Sequence, residues 1–387
     1  MGHEKPLLVH LTTTDISLAL LLGPQLQAFL AAGYDVVGVS AAGPFVPEIE
    51  AAGVRHIELK HGTRSMAPHR DLLAMAELRS LFRRLRPDIV HTHNPKPGVY
   101  GRLAAWAARV PVVVNTVHGL YALPEDPWPK RAVVYGLEAI ASRCSQAELL
   151  QNEEDLPVLR RLRVPSRKLT VLGNGIDLRR FDRAAVPDEE VAAARAAVGA
   201  GPDDVVIGAV GRLVWEKGYR ELLDAAALVR ADHPEARFVV IGPHDPEKAD
   251  AVTAADVAAA EAVGVQFLGM RDDVEALYPA MDLYVLATYR EGFPRSAMEA
   301  AAMGVPIVAT DVRGCRQVVD HGTTGLLVPP RDAAALAAAL AELVVDRPRR
   351  EAMGVAAITK AQRSFDQQQV IDTTLGTYER LLARAAR

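Results

Sequence analysis

Two short segments of this 387-residue chain carry side chains spaced for chemistry. The first, Glu291-Gly292-Phe293-Pro294-Arg295-Ser296-Ala297-Met298-Glu299, sets two carboxylates around a proline. Proline has no N–H to donate and its φ is already fixed, so Pro294 belongs in a first helical turn and predicts a helix beginning there. Gly292 lets a ligand approach the backbone closely. The free amides of such a turn and the positive end of the helix dipole form a site for hydroxyls or an anion. Glu299 lies one to two turns in and tilts back toward the N-terminus, so Glu291 and Glu299 can both reach one bound molecule. Taken alone, the segment fits equally well a helix opened by Glu for dipole reasons, with the second Glu in a surface ion pair.

The second segment is Gly211-Arg212-Leu213-Val214-Trp215-Glu216-Lys217-Gly218. Arg212 offers a planar fork and Lys217 a point charge in a loop bounded by glycines, a pair able to neutralise a diphosphate. The competing reading is two solvated loop cations paired with Glu216.

These loops need elements to position them. Apolar β-branched runs predict strands at Leu7–Leu11, Val36–Val39, Ile57–Leu59, Asp88–His93, Val112–Val117 and Leu169–Leu172, with helical spacing over Ser17–Ala31, Asp71–Leu85 and Val99–Ala108 between them. The scheme repeats with strands at Val205–Val210, Phe238–Ile241, Gln266–Leu268, Leu283–Leu286, Ile307–Ala309 and Leu326–Val328. Its helices are expected at Tyr219–Ala231, Ala249–Ala262, Val274–Ala280, Ser296–Met303 and Ala333–Leu343. The pattern is α/β, with two doubly wound parallel-sheet domains. Between them, the acidic, alanine-rich Asp188–Val198 suits a hinge and a surface helix. Ligands bind outside the carboxyl ends of such sheets, so two facing sheets would make a central cleft. Arg212, Lys217 and the Glu291 segment all follow strands.

Composition excludes several classes. The net charge of −4 is no nucleic-acid footprint, although residues 1–183 carry +5 and the remainder −9. Two cysteines, Cys144 and Cys315, build neither a disulfide framework nor a cysteine zinc site. No apolar stretch is long enough to span a bilayer, and no leader or lipid-anchor signal is read, Met1-Gly2 being followed by Pro6. A cytoplasmic protein is expected, with peripheral contact at the inner face of the plasma membrane. The surface expected to make that contact combines Leu78, Leu81, Phe82 and Leu85, ringed by Arg79, Arg83, Arg84 and Arg86, with the basic run Arg160 to Lys168. A core-packed helix with a solvated rim explains Leu78–Arg86 as well.

The two chemical segments, in this order with a strand and helix repeat between, resemble the signature of the retaining family 4 glycosyltransferases. Asn174-Gly175-Ile176-Asp177 with Phe181, and Gly322–Pro329, extend the match over nearly the whole chain. Gly211–Gly218 and Thr310–Arg316 are most similar to bacterial enzymes extending cell-surface polysaccharides or lipid-linked oligosaccharides. The resemblance implies the GT-B architecture of two facing Rossmann-like domains: residues 1–185 for the acceptor, 186–365 for the nucleotide-sugar donor, and a C-terminal helix, 366–387, crossing back onto the first.

Carried over, Arg212 and Lys217 hold the donor diphosphate and Glu299 takes the ribose hydroxyls. Glu291 with Gly292, Phe293 and Pro294 contacts the hexose, and Gly269 to Arg271, including Met270, meets the nucleobase. His118, at the end of its strand and followed by Gly119, stands beside the transferred sugar. Many family members have a Gly-Gly pair in the loop after the first strand; here that loop reads Thr12-Thr13-Thr14-Asp15-Ile16-Ser17. Thr13, Thr14 or Ser17 hydroxyls would replace it, or Asp15 or Ser17 simply caps the next helix.

The implied reaction is retaining transfer of a hexose or N-acetylhexosamine from a UDP-sugar to a glycan or polyprenyl-diphosphate-linked acceptor. No cofactor is expected. No two aspartates lie two apart, so no Asp-x-Asp metal motif exists, and Arg212, Lys217 and a helix N-terminus would stabilise the leaving phosphate instead. His91 and His93 share a strand face but have no third ligand near them in sequence. A front-face attack needs no protein base; Glu291 as a covalent nucleophile is the other open route. A UDP-N-acetylglucosamine 2-epimerase, a transferase acting on a soluble small acceptor, and a non-catalytic binder of sugar nucleotides are the alternatives.

Overall fold

A computed structural model describes residues 5–63, 67–93, 95–246, 248 and 250–387. Met1-Gly2, and Ala249 at the start of an expected helix, lie outside them. The chain divides into two compact units, residues 1–173 with 369–387, and residues 174–368. Residues 174–185, expected in the first domain, therefore belong to the second.

The first unit is built on a seven-stranded parallel sheet: β1 Leu7–Thr14, β2 Asp35–Ala41, β3 Arg55–Glu58, β4 Ile89–His93, β5 Val112–Val117, β6 Ala147–Leu150 and β7 Leu169–Val171. The order is β3-β2-β1-β4-β5-β6-β7, every neighbour parallel. Because the order reverses between β1 and β4, their crossovers leave on opposite faces and a crevice opens at their carboxyl ends. Helix Pro68–Leu85 buries Leu78, Leu81 and Phe82 against Leu7, Val9 and Val37. Its apolar side is thus core, and Arg79, Arg83, Arg84 and Arg86 are a solvated rim. Leu78, Leu81 and Phe82 are therefore not available to a membrane, although Leu72 and Leu73 of the same helix are exposed. The terminal helix Gln367–Ala385 lays Ile371, Tyr378 and Leu381 among Leu8, Phe29 and Val114 of this unit.

β6 was not expected, because Glu148 interrupts its apolar run. That carboxylate is fully buried and answered by Arg102, also fully buried. Arg102 Nη1 lies 2.7 Å from Glu148 and 2.9 Å from Glu138, with Nη2 closing a second bond of 2.9 Å to Glu138. Asn115 Nδ2 donates to the other Glu148 oxygen at 2.8 Å, and Ser145 Oγ also donates to Glu148. Low dielectric makes such charges tolerable only when every one is answered.

The second unit has a six-stranded parallel sheet of β8 Val205–Val210, β9 Ala236–Ile241, β10 Val265–Phe267, β11 Leu283–Leu286, β12 Ile307–Thr310 and β13 Gly325–Val328. The order β10-β9-β8-β11-β12-β13 reverses between β8 and β11. The loops after those two strands are the two chemical segments. Helix Asp188–Ala197 belongs to this unit, where Ala194 joins its core.

Arg102→Met strands two buried carboxylates and is expected to lower stability by ~3–5 kcal/mol. Urea unfolding followed by circular dichroism checks this. Adding Glu138→Gln and Glu148→Gln should recover part of the loss, and an unshifted midpoint in the single variant contradicts the account.

Candidate active site

In the second unit the turn after β8 docks against the end of β11 through one glycine. Gly218 has φ +74°, and a Cβ there would lie 1.9 Å from the Ala287 carbonyl oxygen. Only glycine fits both the left-handed backbone and the contact. The Glu216 carbonyl accepts from the Tyr289 N–H at 3.0 Å and from Thr288 Oγ1 at 3.3 Å, stitching the two loops together. Lys217 Nζ thereby meets Glu291 Oε1 in an ion pair with both side chains largely enclosed. The short helix Arg313–Val318 after β12 packs against the base of the same residue: a Cβ on Gly314 would lie 2.7 Å from Glu291 Cβ and 2.8 Å from its carbonyl.

Arg212 points elsewhere, bonding Asp245 Oδ2 at 3.0 Å beyond β9. The two cations therefore pair with Asp245 and Glu291, not with Glu216 as the solvated-loop reading supposed. Gly242 N–H donates to the Gly269 carbonyl at 2.8 Å, joining the β9 and β10 ends. Beyond them Met270 is exposed and Arg271 forks onto Asp273 at 2.8 and 2.5 Å.

The expected helix spans Arg295–Ala302, with Pro294 at φ −72°, ψ 115° immediately before it. Pro294 is thus the cap and not part of the first turn; its extended ψ turns the chain from the Gly292-Phe293 loop into the helix. Phe293 packs edge-on against Phe365, centroids 6.0 Å apart, and its carbonyl accepts from Asn174 Nδ2 at 3.3 Å. Glu299 accepts from the Tyr278 hydroxyl at 2.9 Å. Burial pushes its carboxyl above the usual range, against the nearby Arg295 guanidinium. Asp245 and Tyr278 had no role in the sequence reading, and Asn174 and Gly314 only places in motifs, because their contacts are tertiary.

In the first unit His118 follows β5 and heads a run of hydrogen-bonded imidazoles. Its Nε2 lies 2.9 Å from His93 Nδ1, and His93 Nε2 lies 3.1 Å from His10 Nδ1. Tyr378 Oη bonds His91 Nδ1 and lies 3.4 Å from His10 Nε2, while His91 Nε2 meets Thr116 Oγ1 at 2.7 Å. His10, on β1, is the third imidazole that sequence proximity did not supply, and the ligand atoms of His10, His91 and His93 lie within 4.8 Å of one another. Yet His91 and His93 stack at 4.5 Å and 21°, and their ring nitrogens are engaged with each other's neighbours.

Burial lowers His10 to about 3 and His118 to about 4, and puts His91 and His93 well below their ordinary value. All four are neutral at pH 7. The stretch expected as a loop from Thr12 is strand as far as Thr14, because β1 runs on to that residue, and Thr12 Oγ1 donates to the Thr14 carbonyl at 3.0 Å. Asp15 accepts from the Phe45 N–H at 2.8 Å, so it ties down the loop after β2 and caps no helix.

Two Rossmann-like units, the second ending its reversed strands in a cation–carboxylate pair and a helix N-terminus, fit the GT-B fold. Residues 25–180 match the model of Glycosyltransferase Family 4 and residues 204–346 that of Glycosyl transferases group 1. The chain belongs to the family 4 glycosyltransferases. It is 28% identical to the capsular polysaccharide biosynthesis glycosyltransferase CapM of Staphylococcus aureus, over 96% of this chain and 97% of that one. It is 25% identical to the N,N'-diacetylbacillosaminyl-diphospho-undecaprenol α-1,3-N-acetylgalactosaminyltransferase of Campylobacter jejuni, over 87% and 89%. Among solved structures, Anabaena HepE in complex with UDP and glucose shares the fold with a TM-score of 0.79 at 19% identity, covering 97% of this chain and 99% of that one.

The buried histidines make stability pH-dependent. Unfolded imidazoles titrate near 6.5 while the folded ones refuse protons until well below it, so stability is full above that value and falls as pH drops through it. Each histidine contributes up to about 1.4 kcal/mol per pH unit in that window. Urea midpoints near pH 7.5 and about pH 5 should differ accordingly; coincident curves would refute the neutral chain.

Proposed function

We propose that the enzyme transfers a hexose or N-acetylhexosamine from a UDP-sugar to a hydroxyl of a glycan or a lipid-diphosphate-linked sugar, with retention and without a metal ion. The observation that carries the reading is the Lys217–Glu291 pair, held between the loops after β8 and β11, with Gly314 packed against the Glu291 backbone. A donor diphosphate exchanges with Glu291 for Lys217 and with Asp245 for Arg212. Glu291, released from the lysine, accepts from hexose hydroxyls while Glu299 takes the ribose. The amides before Arg295 face the same ligand.

As the sugar–phosphate bond breaks, negative charge gathers on the departing phosphate, and fixed cations stabilise it there. Attack from the face the phosphate leaves lets a phosphate oxygen take the acceptor's proton. His118, held down to about 4 by burial, is a poor base, and bonded to His93 and Gln151 it positions the site and does not deprotonate the acceptor. The acceptor class is supported by relatives named for capsule synthesis and for transfer to undecaprenyl-diphosphate sugars. A soluble acceptor is the second reading, favoured by a D-inositol 3-phosphate glycosyltransferase of Thermobispora bispora, 31% identical over 72% of this chain and 67% of that one. Membership of a transferase family sets the epimerase and the non-catalytic binder aside.

UDP-hexoses with and without lipid-linked and soluble acceptors, read by mass spectrometry, test the assignment; UDP release independent of any acceptor counts against it. Lys217→Ala and Glu299→Ala are each expected to weaken UDP-sugar binding or turnover at least about tenfold, roughly 1.4 kcal/mol. Wild-type calorimetry and kinetics in both variants would refute the site. A chelator should leave the rate unchanged, and loss restored by Mg²⁺ would overturn the metal-free mechanism.

A further inference from the structure

Helix Trp128–Ala141 of the first unit is amphipathic in the reverse sense. Its exposed positions are Trp128, Pro129, Ala132, Val133, Gly136, Leu137 and Ile140, all apolar. Trp128 is 73% exposed, Val133 58%, Ile140 51% and Leu137 44%. The acid of the helix, Glu138, turns inward because buried Arg102 requires a bidentate partner. The i, i+4 spacing lines the apolar residues into one stripe about 18 Å long. Trp106, 65% exposed, is on helix Lys96–Ala108, against which this one packs. A stripe of this kind in water is disfavoured unless something covers it.

Charge selects what covers it. From helix Trp128–Ala141 to Arg143 the charged side chains are Lys130, Arg131, Glu138 and Arg143, the one acid being buried, while Glu125 and Asp126 precede the helix. Lys130 is paired with Asp126 at 2.8 Å, Arg131 bonds the Pro124 carbonyl at 2.5 Å, and Arg143 is exposed just past the helix end. An anionic bilayer satisfies both features: aliphatic side chains enter the acyl boundary, indole rings lie at headgroup depth, and cations meet lipid phosphates.

We infer that the exposed face of helix Trp128–Ala141 docks the enzyme on an anionic phospholipid surface. The inference deepens the proposed function, in which the acceptor is lipid-linked, and moves the membrane contact from Leu78–Arg86, whose apolar side is core. A helix lying flat in the interface would hold the first unit at the surface where such an acceptor's diphosphate emerges.

The test sediments the full chain with phosphatidylcholine vesicles, with and without phosphatidylglycerol, alongside Trp128→Ser/Leu137→Ser/Ile140→Ser. All three positions are solvent-facing, so the fold should survive, as circular dichroism and UDP calorimetry would report. Wild type should bind the anionic vesicles and the triple variant at least about tenfold less, with UDP binding unchanged. Absence of wild-type sedimentation, or equal sedimentation of the variant, overturns the inference. So does a wild-type dimer that becomes a monomer in the variant by light scattering, since the face then belongs to a second copy. Vesicle binding through the helix together with transfer only to soluble acceptors leaves the docking face standing and removes the lipid-linked acceptor.

Discussion

A parallel sheet delivers every strand's carboxyl end to one edge, and where the strand order reverses, two adjacent strands send their connections to opposite faces. That constraint governs both units. In the second, it separates the helices that follow β8 and β11 and leaves the loops Gly211–Gly218 and Glu291–Pro294 side by side. The same reversal in the first unit sets β1 beside β4, which brings His10 against His91 and His93. Neither grouping needs a side chain of its own to create it. Side chains then refine what topology has brought near: Gly218 removes a Cβ so that the loop can touch Ala287, and Gly314 does the same at Glu291.

The first unit holds more buried polarity than a sheet of this kind needs for folding. Arg102 with Glu138 and Glu148 is one closed network, and the imidazole chain ending at Tyr378 is another. Both are expensive to leave incomplete and so specify a single arrangement. The second network crosses from the central strands to the terminal helix, so that helix is bound to the unit by hydrogen bonds as well as by Ile371 and Leu381. The first turns Glu138 inward, and the exposed positions of helix Trp128–Ala141 carry apolar residues alone.

This also explains which elements were legible. Val112–Val117, Val205–Val210 and Leu283–Leu286 were read at their observed bounds, because a strand covered on both faces is a continuous apolar run. Ala147–Leu150 was not, since Glu148 looks like a solvent residue until Arg102, distant in sequence, is placed beside it. Helix Trp128–Ala141 defeats periodicity for a related reason: its pattern is helical but its faces are exchanged. At the candidate site Arg212, Lys217 and Glu291 stood out through glycine and proline neighbours that announce strand-end turns. Their partners did not, because Asp245 and Tyr278 are ordinary residues in ordinary contexts whose significance is positional.

The different settings of the two cations bear on how a donor would be recognised. Arg212–Asp245 is a solvent-exposed pair, worth ~0–1 kcal/mol, so a diphosphate can replace Asp245 with little opposition. Lys217–Glu291 is more enclosed, with side chains 26% and 14% exposed. Taking Lys217 away leaves a carboxylate with few waters, and an unsatisfied buried acceptor is disfavoured by ~1–3 kcal/mol or more. Hydroxyls donated to Glu291 by the sugar remove that penalty, whereas a bare nucleoside diphosphate cannot supply them. In the proposed reaction, the hexose thereby strengthens binding of the phosphates. A ligand lacking the right hydroxyl is rejected through the carboxylate it leaves behind, which is a sharper discrimination than loss of a contact.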